Sequence, residues 1–182
     1  MKSYDYTTRQ GILELSWDDF AALARQLAEK LQPYHIQAVV GIARAGLFPA
    51  TAVACSLRTE LYPARLTRRL YDQVVRETPI WKTPISDEAA GKIVAVVDEM
   101  ADSGQTLHMA AEAACSLGAV RAVTASLVAH SWADPMPEVV ALVSDALVIF
   151  PWDRQVLLDG QWQPHPEVQA ALALQSRPED KP

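Results

Sequence analysis

The sequence contains little cysteine, no long apolar run and no excess of positive charge. Its 182 residues include 2 cysteines and 16 basic against 22 acidic residues, which gives a net charge of −6. No run approaches the roughly 18 apolar residues of a transmembrane helix, so we expect no contact with a membrane. The acidic balance argues against nucleic acid as the main partner. Residues 1–10 lack the apolar core of a signal peptide, which indicates a cytoplasmic protein.

The two cysteines indicate neither a disulfide nor a metal site. Cys55 and Cys115 are distant in the sequence, and each falls in a segment that predicts a helix. Free cysteine is among the most buried residue types. We therefore expect two free thiols in the core.

The pattern of apolar residues predicts the fold class. Hydrophobic residues make up 50% of the chain, which suffices for a full core, and the length predicts one domain. Continuous β-branched runs, typical of parallel strands covered on both faces, alternate with segments of helical spacing. The sequence therefore predicts a doubly wound α/β fold with a mainly parallel sheet of four to five strands flanked by helices. The predicted strands are residues 11–15, 36–42, one or two within 59–70, 93–97, 120–129 and 145–150, and the predicted helices are residues 17 to about 33, 47–57, 106–118 and 166–175.

Residues 92–118 form the most informative stretch. An apolar strand ends at two carboxylates, Asp98 and Glu99, a short loop of residues 100–105 follows, and Thr106 opens a helix. In α/β proteins, loop N–H groups and the positive end of a helix bind an anion, and neighbouring carboxylates bind hydroxyls or a divalent cation. The stretch therefore predicts a phosphate site beside a sugar or metal site, at the carboxyl edge of the sheet. On the acidic pair alone, two solvated carboxylates at a strand end are an equal alternative.

A second turn is predicted at the same edge of the sheet. It follows the strand of residues 36–42, contains Arg44, Ala45 and Gly46, and leads into the helix of residues 47–57. A lone arginine in a turn is usually a surface charge. Because parallel strands end at one edge, this arginine shares its position with the acidic pair, and we include it among the candidate ligands.

One segment resembles the signature by which type I phosphoribosyltransferases bind phosphoribosyl pyrophosphate (PRPP). Residues 94–107, VAVVDEMADSGQTL, contain four apolar residues, two acidic ones and a Ser-Gly-x-Thr turn. They differ mildly from the family pattern in Glu99, Ser103 and Gln105, where Asp, Thr and Gly are frequent.

Two further segments support the resemblance. Residues 41–47, GIARAGL, resemble the pyrophosphate loop of the xanthine/guanine branch of the family. Residues 150–153, FPWD, are similar to the segment after the last core strand in that branch. The resemblance covers about residues 12–155, most of the chain.

The resemblance implies an enzyme that transfers the phosphoribosyl group from PRPP to a nucleobase such as guanine, xanthine or hypoxanthine. It also implies Mg²⁺ as cofactor, pyrophosphate as product, and a homodimer or homotetramer. Asp98 and Glu99 would bind the ribose hydroxyls and the metal, and Arg44, Ala45 and Gly46 would bind the pyrophosphate. The remaining PRPP-binding residues implied in this way are Ala101, Asp102, Ser103, Gly104, Gln105 and Thr106.

Two of these residues have implied catalytic roles. Arg44 would stabilise the negative charge that grows on the leaving pyrophosphate. Asp102 would accept or relay the proton of the base. The family often has a cis peptide in the pyrophosphate loop, which by resemblance would lie between Arg44 and Ala45.

The base-binding residues implied by the resemblance depart from the family pattern. His130 stands where the xanthine/guanine branch has a lysine for the purine carbonyl, and Leu147, followed by Val148, stands where an aromatic residue stacks on the base. A neutral imidazole could still donate one hydrogen bond to a carbonyl. The alternative is that His130 is a satisfied strand-end histidine and Leu147 a core residue. Trp132 or Trp152 could then supply the aromatic surface.

The remaining segments carry weaker predictions. Residues 71–91 contain prolines and scattered charges without a period, which indicates a long loop or a hairpin, and of the functions such a segment could have we favour a lid. We expect a core domain of residues 1–153 and a C-terminal hood of residues 154–182, with a hairpin around residues 159–160 and a disordered end at 176–182.

Two alternatives to a purine enzyme stay open. One is a PRPP- or nucleotide-sensing regulator without turnover, and the other is a phosphoribosyltransferase for a different acceptor such as a pyrimidine.

Overall fold

The computed structural model describes residues 9–70, 73–74, 76 and 78–175, and these form two compact units. One unit is residues 22–144, and the other combines residues up to 21 with residues from 145 onward. No helix among the described residues is long and apolar enough to cross a membrane. The boundary expected between residues 153 and 154 stays a prediction. The elements are β1 (Ile12–Glu14), α1 (Trp17–Leu31), β2 (Ala38–Ile42), α2 (Leu47–Leu57), β3 (Glu60–Thr67), β4 (Arg69–Leu70), β5 (Gln73–Val74), β6 (Ile80–Thr83), β7 (Ile93–Ala101), α3 (Gln105–Ser116), β8 (Arg121–Ala129), β9 (Val139–Val143), β10 (Leu147–Ile149), β11 (Gln155–Leu158), β12 (Gln161–Pro164) and α4 (Pro166–Gln175).

The larger unit is built on a six-stranded sheet with the order β6-β3-β2-β7-β8-β9. Strands β3, β2, β7, β8 and β9 run parallel to their neighbours, and β6 runs antiparallel to β3 at one edge. The predicted fold, a mainly parallel sheet flanked by helices, is confirmed.

Each face of this sheet is covered by its own core. Successive residues of a strand project to opposite faces, so Val39 and Val97 pack with α2 and the second half of α1, whereas Val40 and Val96 pack with α3. All four valines are completely buried. Burial on both sides is why these strands are continuous apolar runs in the sequence.

Both edges of the sheet differ from the predictions. The last place is taken by β9, a valine-rich run of residues 139–143 that is not among the predicted strands. The predicted last strand, residues 145–150, contains β10, which pairs with β1 in a separate parallel sheet of two strands. Its neighbour in the fold is therefore the start of the chain.

The segment predicted as a lid, residues 71–91, is partly built into the sheet. Strand β6 pairs with β3, and Ile85 and Ala89 are buried in the core on the α3 side. A lid is therefore wrong for residues 80–91. The prolines on either side of β6 are typical of an edge strand, which is the signal that could have indicated it. Residues 71, 72, 75 and 77 of the predicted lid lie outside the described residues.

Two further predictions, a hairpin and a helix, fall in the smaller unit. Strands β11 and β12 form the hairpin expected around residues 159–160, and α4 matches the predicted helix. Its core consists of Leu147, Ile149 and Ala171. The tail of residues 176–182, predicted as disordered, lies outside the described residues.

The prediction of buried cysteines is wrong. Cys55 lies in α2 and Cys115 in α3, as expected, but both thiols are free and exposed. The helices turn their small residues toward the sheet, Ala54 and Ala114 among them. The next residue along each helix therefore faces away.

Candidate active site

Two turns lie at the carboxyl edge of adjacent parallel strands. The first follows β2 and contains Arg44, whose side chain is exposed, and Gly46, which is buried. The N–H groups of Leu47 and Phe48 donate to the carbonyl oxygens of Arg44 and Ala45 at 3.1 and 3.0 Å, which closes the turn into α2.

The cis peptide of this turn is not where it was expected. It joins Ala43 to Arg44, so the bond precedes Arg44 rather than following it. The N–H of Ala43 donates to the carbonyl oxygen of Ala64 on β3 at 2.7 Å, which anchors the turn to the sheet on that side.

The second turn follows β7, which is longer than predicted. Asp98 and Glu99 were expected to stop the strand, but β7 continues to Ala101 because Met100 and Ala101 still pair with Val128 and Ala129 of β8. The carboxylates therefore belong to a paired strand. The loop is shortened to residues 102–104, and α3 begins at Gln105, one residue before the predicted start.

The first turn lies directly against the acidic pair of β7. A Cβ placed on Gly46 would lie 2.5 Å from Oδ1 of Asp98, 2.5 Å from the carbonyl oxygen of Ile42 and 3.0 Å from Cα of Asp98. Real side chains do not come this close, so only glycine fits at this position. The arginine-containing turn and the acidic pair therefore share one site.

Asp98 is a buried acid that lies against the first turn. Its side chain is 9% exposed, and its Oδ1 accepts a hydrogen bond from the N–H of Glu99 at 3.0 Å. Burial raises the pKa of Asp98 well above its ordinary value, and the negative charge of Glu99 raises it further. A cation or a set of hydroxyl donors at this carboxylate would relieve that cost.

The start of α3 has the form of an anion site. Gly104 precedes the helix with a φ of 76°, and no side chain at this N-cap position bonds the first turn. The first N–H groups of a helix have no partner within the helix and carry partial positive charge. Ser103 and Thr106 are half-buried beside them, and Gln105 is exposed. Together they can surround a phosphate group.

The turn after β8 packs against the loop of residues 102–104. The N–H of Asp134 donates to the carbonyl oxygen of Ser103 at 3.2 Å. The carbonyl oxygen of Pro135 lies so close to Gly104 that a Cβ there would collide with it. Gly104 is therefore required both by its backbone angle and by its neighbour.

His130, expected to bind the base, is held by the backbone. It is 2% exposed, and its Nδ1 lies 2.6 Å from the carbonyl oxygen of Ser144. A carbonyl oxygen only accepts, so Nδ1 carries the proton and donates. In the neutral ring Nε2 then has no hydrogen, so the expectation that a neutral His130 donates to a base carbonyl does not hold.

Trp132 connects His130 to Asp102. Its ring stacks on the His130 ring, with 4.4 Å between centroids and 17° between planes. Its Nε1–H donates to Oδ1 of Asp102 at 3.3 Å. Trp132 was considered in the sequence only as an aromatic surface, and nothing in its spacing indicated the bond to Asp102.

The other two residues assigned to the base belong to the smaller unit. Leu147 is 6% exposed and lies in the core with Ile149 and Ala171, and Val148 is half-buried. Trp152 stacks on Phe150 at 4.8 Å and contacts the rings of Trp17 and Phe20. Both Leu147 and Trp152 thus have a packing role within their unit.

The acidic pair also has the chemistry of a candidate metal site. Within the described ranges, no group of three or more His, Cys, Asp or Glu side chains could hold a metal ion. Asp98 and Glu99 offer oxygen donors only, which suits Mg²⁺, an ion that keeps several waters and is bound by one or two carboxylates together with substrate phosphates. The side chains present therefore fit this ion.

The sequence of residues 12–156 matches the model of the phosphoribosyl transferase domain. The chain belongs to the phosphoribosyltransferase family. Members of this family transfer a phosphoribosyl group from PRPP to a base with release of pyrophosphate, typically with Mg²⁺. The family assignment made from the three sequence segments is confirmed.

Solved structures of phosphoribosyltransferases share the fold. The purine phosphoribosyltransferase of Pyrococcus horikoshii Ot3 is 26% identical, with a TM-score of 0.71 over 84% of this chain and 100% of that chain. The xanthine-guanine-hypoxanthine phosphoribosyltransferase of Helicobacter pylori is 15% identical, with a TM-score of 0.60 over 89% and 99%.

A third similar structure contains a nucleotide. It is a hypothetical protein of Neisseria gonorrhoeae with bound ppGpp, 21% identical, with a TM-score of 0.63 over 91% of this chain and 96% of that chain. Adenine and orotate phosphoribosyltransferases are also similar in fold, so the acceptor base does not follow from the fold. No curated protein sequence matches the chain.

Proposed function

We propose that this phosphoribosyltransferase uses PRPP and Mg²⁺ to convert a purine base to its nucleotide. The observation that carries the proposal is the contact between Gly46 and Asp98, because it joins the arginine-containing turn to the acidic pair. A sugar held by the acids would then have its pyrophosphate beside the arginine. A purine acceptor is supported by the 26% identity to a purine enzyme.

Each part of PRPP has a matching part of the site. The 5′-phosphate binds at the start of α3, to the N–H groups and hydroxyls of Ser103, Gly104, Gln105 and Thr106. Asp98 and Glu99 accept hydrogen bonds from the ribose hydroxyls, and the same carboxylates would hold Mg²⁺. The pyrophosphate binds to Arg44 and to the N–H groups of the same turn.

The reaction breaks the bond from the anomeric carbon to pyrophosphate and forms a bond from that carbon to a base nitrogen. The leaving pyrophosphate keeps the electron pair, and Arg44 stabilises the charge as it develops. Mg²⁺, when bound, would supply further positive charge to stabilise the leaving pyrophosphate. Asp102 accepts the proton that the base nitrogen loses.

The test is turnover on a panel of bases. The protein is incubated with PRPP, Mg²⁺ and, separately, adenine, guanine, hypoxanthine, xanthine, uracil and orotate, and nucleotides are measured by mass spectrometry. We expect a nucleotide from at least one purine, with strong loss of activity in Arg44→Ala and Asp102→Asn. Product from a pyrimidine alone would overturn the purine assignment, and full activity of both variants would overturn the assigned roles.

A second candidate function is a nucleotide-sensing regulator, which is favoured by the similar structure with bound ppGpp. A regulator would keep the residues that bind PRPP but would not turn it over. Calorimetry that shows binding of PRPP or ppGpp, together with no product from any base, would support it over the enzyme.

A further inference from the structure

We propose that Trp132 is a positioning residue that fixes the carboxylate of Asp102 for proton transfer, an inference that rests on the proposed function. The indole N–H is the only hydrogen-bond donor of the side chain, and it donates to Oδ1 of Asp102 at 3.3 Å. The bond fixes the rotation of the carboxylate and thus the direction of its second oxygen.

The tryptophan is itself held in place. Its ring lies on the ring of His130, which is buried and bound through Nδ1 to the carbonyl oxygen of Ser144 at 2.6 Å. The backbone N–H of His130 also donates to the carbonyl oxygen of Ala101, the residue before Asp102, at 3.0 Å. The indole therefore joins a rigid strand end to the acid at the start of the neighbouring loop.

Asp102 needs such an anchor because of where it lies. It is half-buried and is the first residue after β7, outside both the strand and α3. The bond from Trp132 contributes to the order of this side chain before the base binds. Ordering it beforehand lowers the cost of reaching the reactive geometry.

The alternative is that Trp132 only covers His130. Trp132 is 42% exposed, and in this alternative its stacking on the His130 ring is its whole role. Trp132→Phe separates the two roles, because phenylalanine keeps a ring over His130 and lacks the N–H. Trp162→Phe is the matched control, since Trp162 is 68% exposed on the β12 hairpin of the other unit.

The experiment is a double-mutant cycle on kcat and KM with Trp132→Phe, Asp102→Asn and the double variant. We expect Trp132→Phe to lower kcat about tenfold, within the range for a misplaced acid-base group, with the KM for PRPP nearly unchanged. In the Asp102→Asn background the same change should have no further effect. Trp162→Phe should behave as the unmodified protein, and Trp132→Tyr, which keeps a ring and a donor hydroxyl, should recover part of the loss.

Four outcomes would overturn the inference. Equal losses in both backgrounds would assign Trp132 a structural role, and an unchanged kcat in Trp132→Phe would remove any role. If Trp132→Phe does not fold, the cycle is run with Trp132→Tyr in its place. The absence of coupling between Trp132→Tyr and Asp102→Asn would then assign Trp132 a structural role. Absence of turnover by the unmodified protein on every base would defeat the proposed function along with the inference, whereas turnover with uncoupled variants would defeat the inference alone.

Discussion

The phosphate side and the base side of the candidate site are constructed in different ways. The phosphate side, defined as residues 43–46, 98–99 and 102–106, consists of the acidic pair on β7 and of two turns, each of which follows a parallel strand and leads into a helix. Its candidate binding groups are the backbone N–H groups at the starts of those helices and the side chains of Arg44, Asp98 and Glu99. The base side, defined as His130 and Trp132, consists of side chains after β8, and these are connected to the phosphate side through Asp102.

This difference implies different sensitivities to mutation. On the phosphate side the chain has no room for an added atom, because glycines contact a carboxylate and a carbonyl directly. On the base side the geometry depends on side-chain contacts, among them the bond from Trp132 to Asp102 and the ring stack of Trp132 on His130. We therefore expect changes on the phosphate side to have the larger effects.

The largest effect is expected for Gly46→Ala. The new methyl group would overlap Oδ1 of Asp98 and the carbonyl oxygen of Ile42, so the turn and the acidic pair would have to separate. A displacement of about 1 Å costs on the order of 100-fold in rate, and overpacking costs about 1–3 kcal/mol of stability. Steady-state kinetics with PRPP and thermal melting would measure both.

Gly91→Ala is the control for lost stability. Gly91 has a φ of 74°, but nothing lies within 4 Å of a Cβ placed there. This change should cost on the order of 1 kcal/mol and leave PRPP turnover intact. Normal turnover of Gly46→Ala would mean that the contact between the Arg44 turn and the acidic pair is not needed for activity.

A smaller loss of activity is expected for Asp98→Asn, together with a gain in stability. Loss of hydrogen bonds to a charged group costs about 1.5–3 kcal/mol, or about tenfold to 100-fold in kcat/KM for PRPP. The same substitution removes a buried charge, so the variant without ligand should melt at a higher temperature than the unmodified protein at neutral pH.

The pH dependence of that gain follows from the raised pKa of Asp98. The folded protein holds the proton up to a higher pH than the unfolded chain. Between the ordinary pKa of aspartate and the raised folded value, the unfolded state therefore binds fewer protons, and the free energy of unfolding falls as pH rises. Asparagine has no such charge. The difference in melting temperature should vanish in acid and grow toward neutral pH, and an equal difference at all pH values would contradict this cause.

How far the sequence predicts the molecule depends on how local each feature is. The phosphate side was predictable because Asp98 to Thr106 is one contiguous strand, loop and helix start, and each element has its own signal. The position of the cis peptide was wrong by one bond, since it came from resemblance and the residues themselves have no signal for it.

The base side was not predictable in the same way. The bond from Trp132 to Asp102 joins residues 30 positions apart, and it exists only because β7 and β8 are paired to their ends at Ala101 and Ala129. The tautomer of His130 likewise depends on Ser144, which follows β9, a strand that was not predicted. Side-chain contacts between elements follow from strand pairing, which short segments do not encode.

Ser103→Ala should have a modest effect. The hydroxyl is one of several donors at the start of α3, and the backbone N–H groups stay in place. Loss of one such hydrogen bond costs about 0.5–1.5 kcal/mol, so the KM for PRPP should rise about threefold to tenfold with the KM for the base unchanged. A loss as large as that of Gly46→Ala would mean that side chains, not the backbone, bind the phosphate.

The smallest effect on activity is expected for Leu147→Met. Leu147 is 6% exposed and packs with Ile149 and Ala171, so its surroundings are those of a core residue. A volume-conserving change in a core costs less than about 1.5 kcal/mol, whereas Leu147→Ala should cost about 2–5 kcal/mol. If packing is the main role of this leucine, both variants should keep the KM for the base within about twofold below their melting temperatures. A specific rise of that KM in Leu147→Met, with no change in melting, would instead assign Leu147 to the base and make the base side depend on a second unit of the chain.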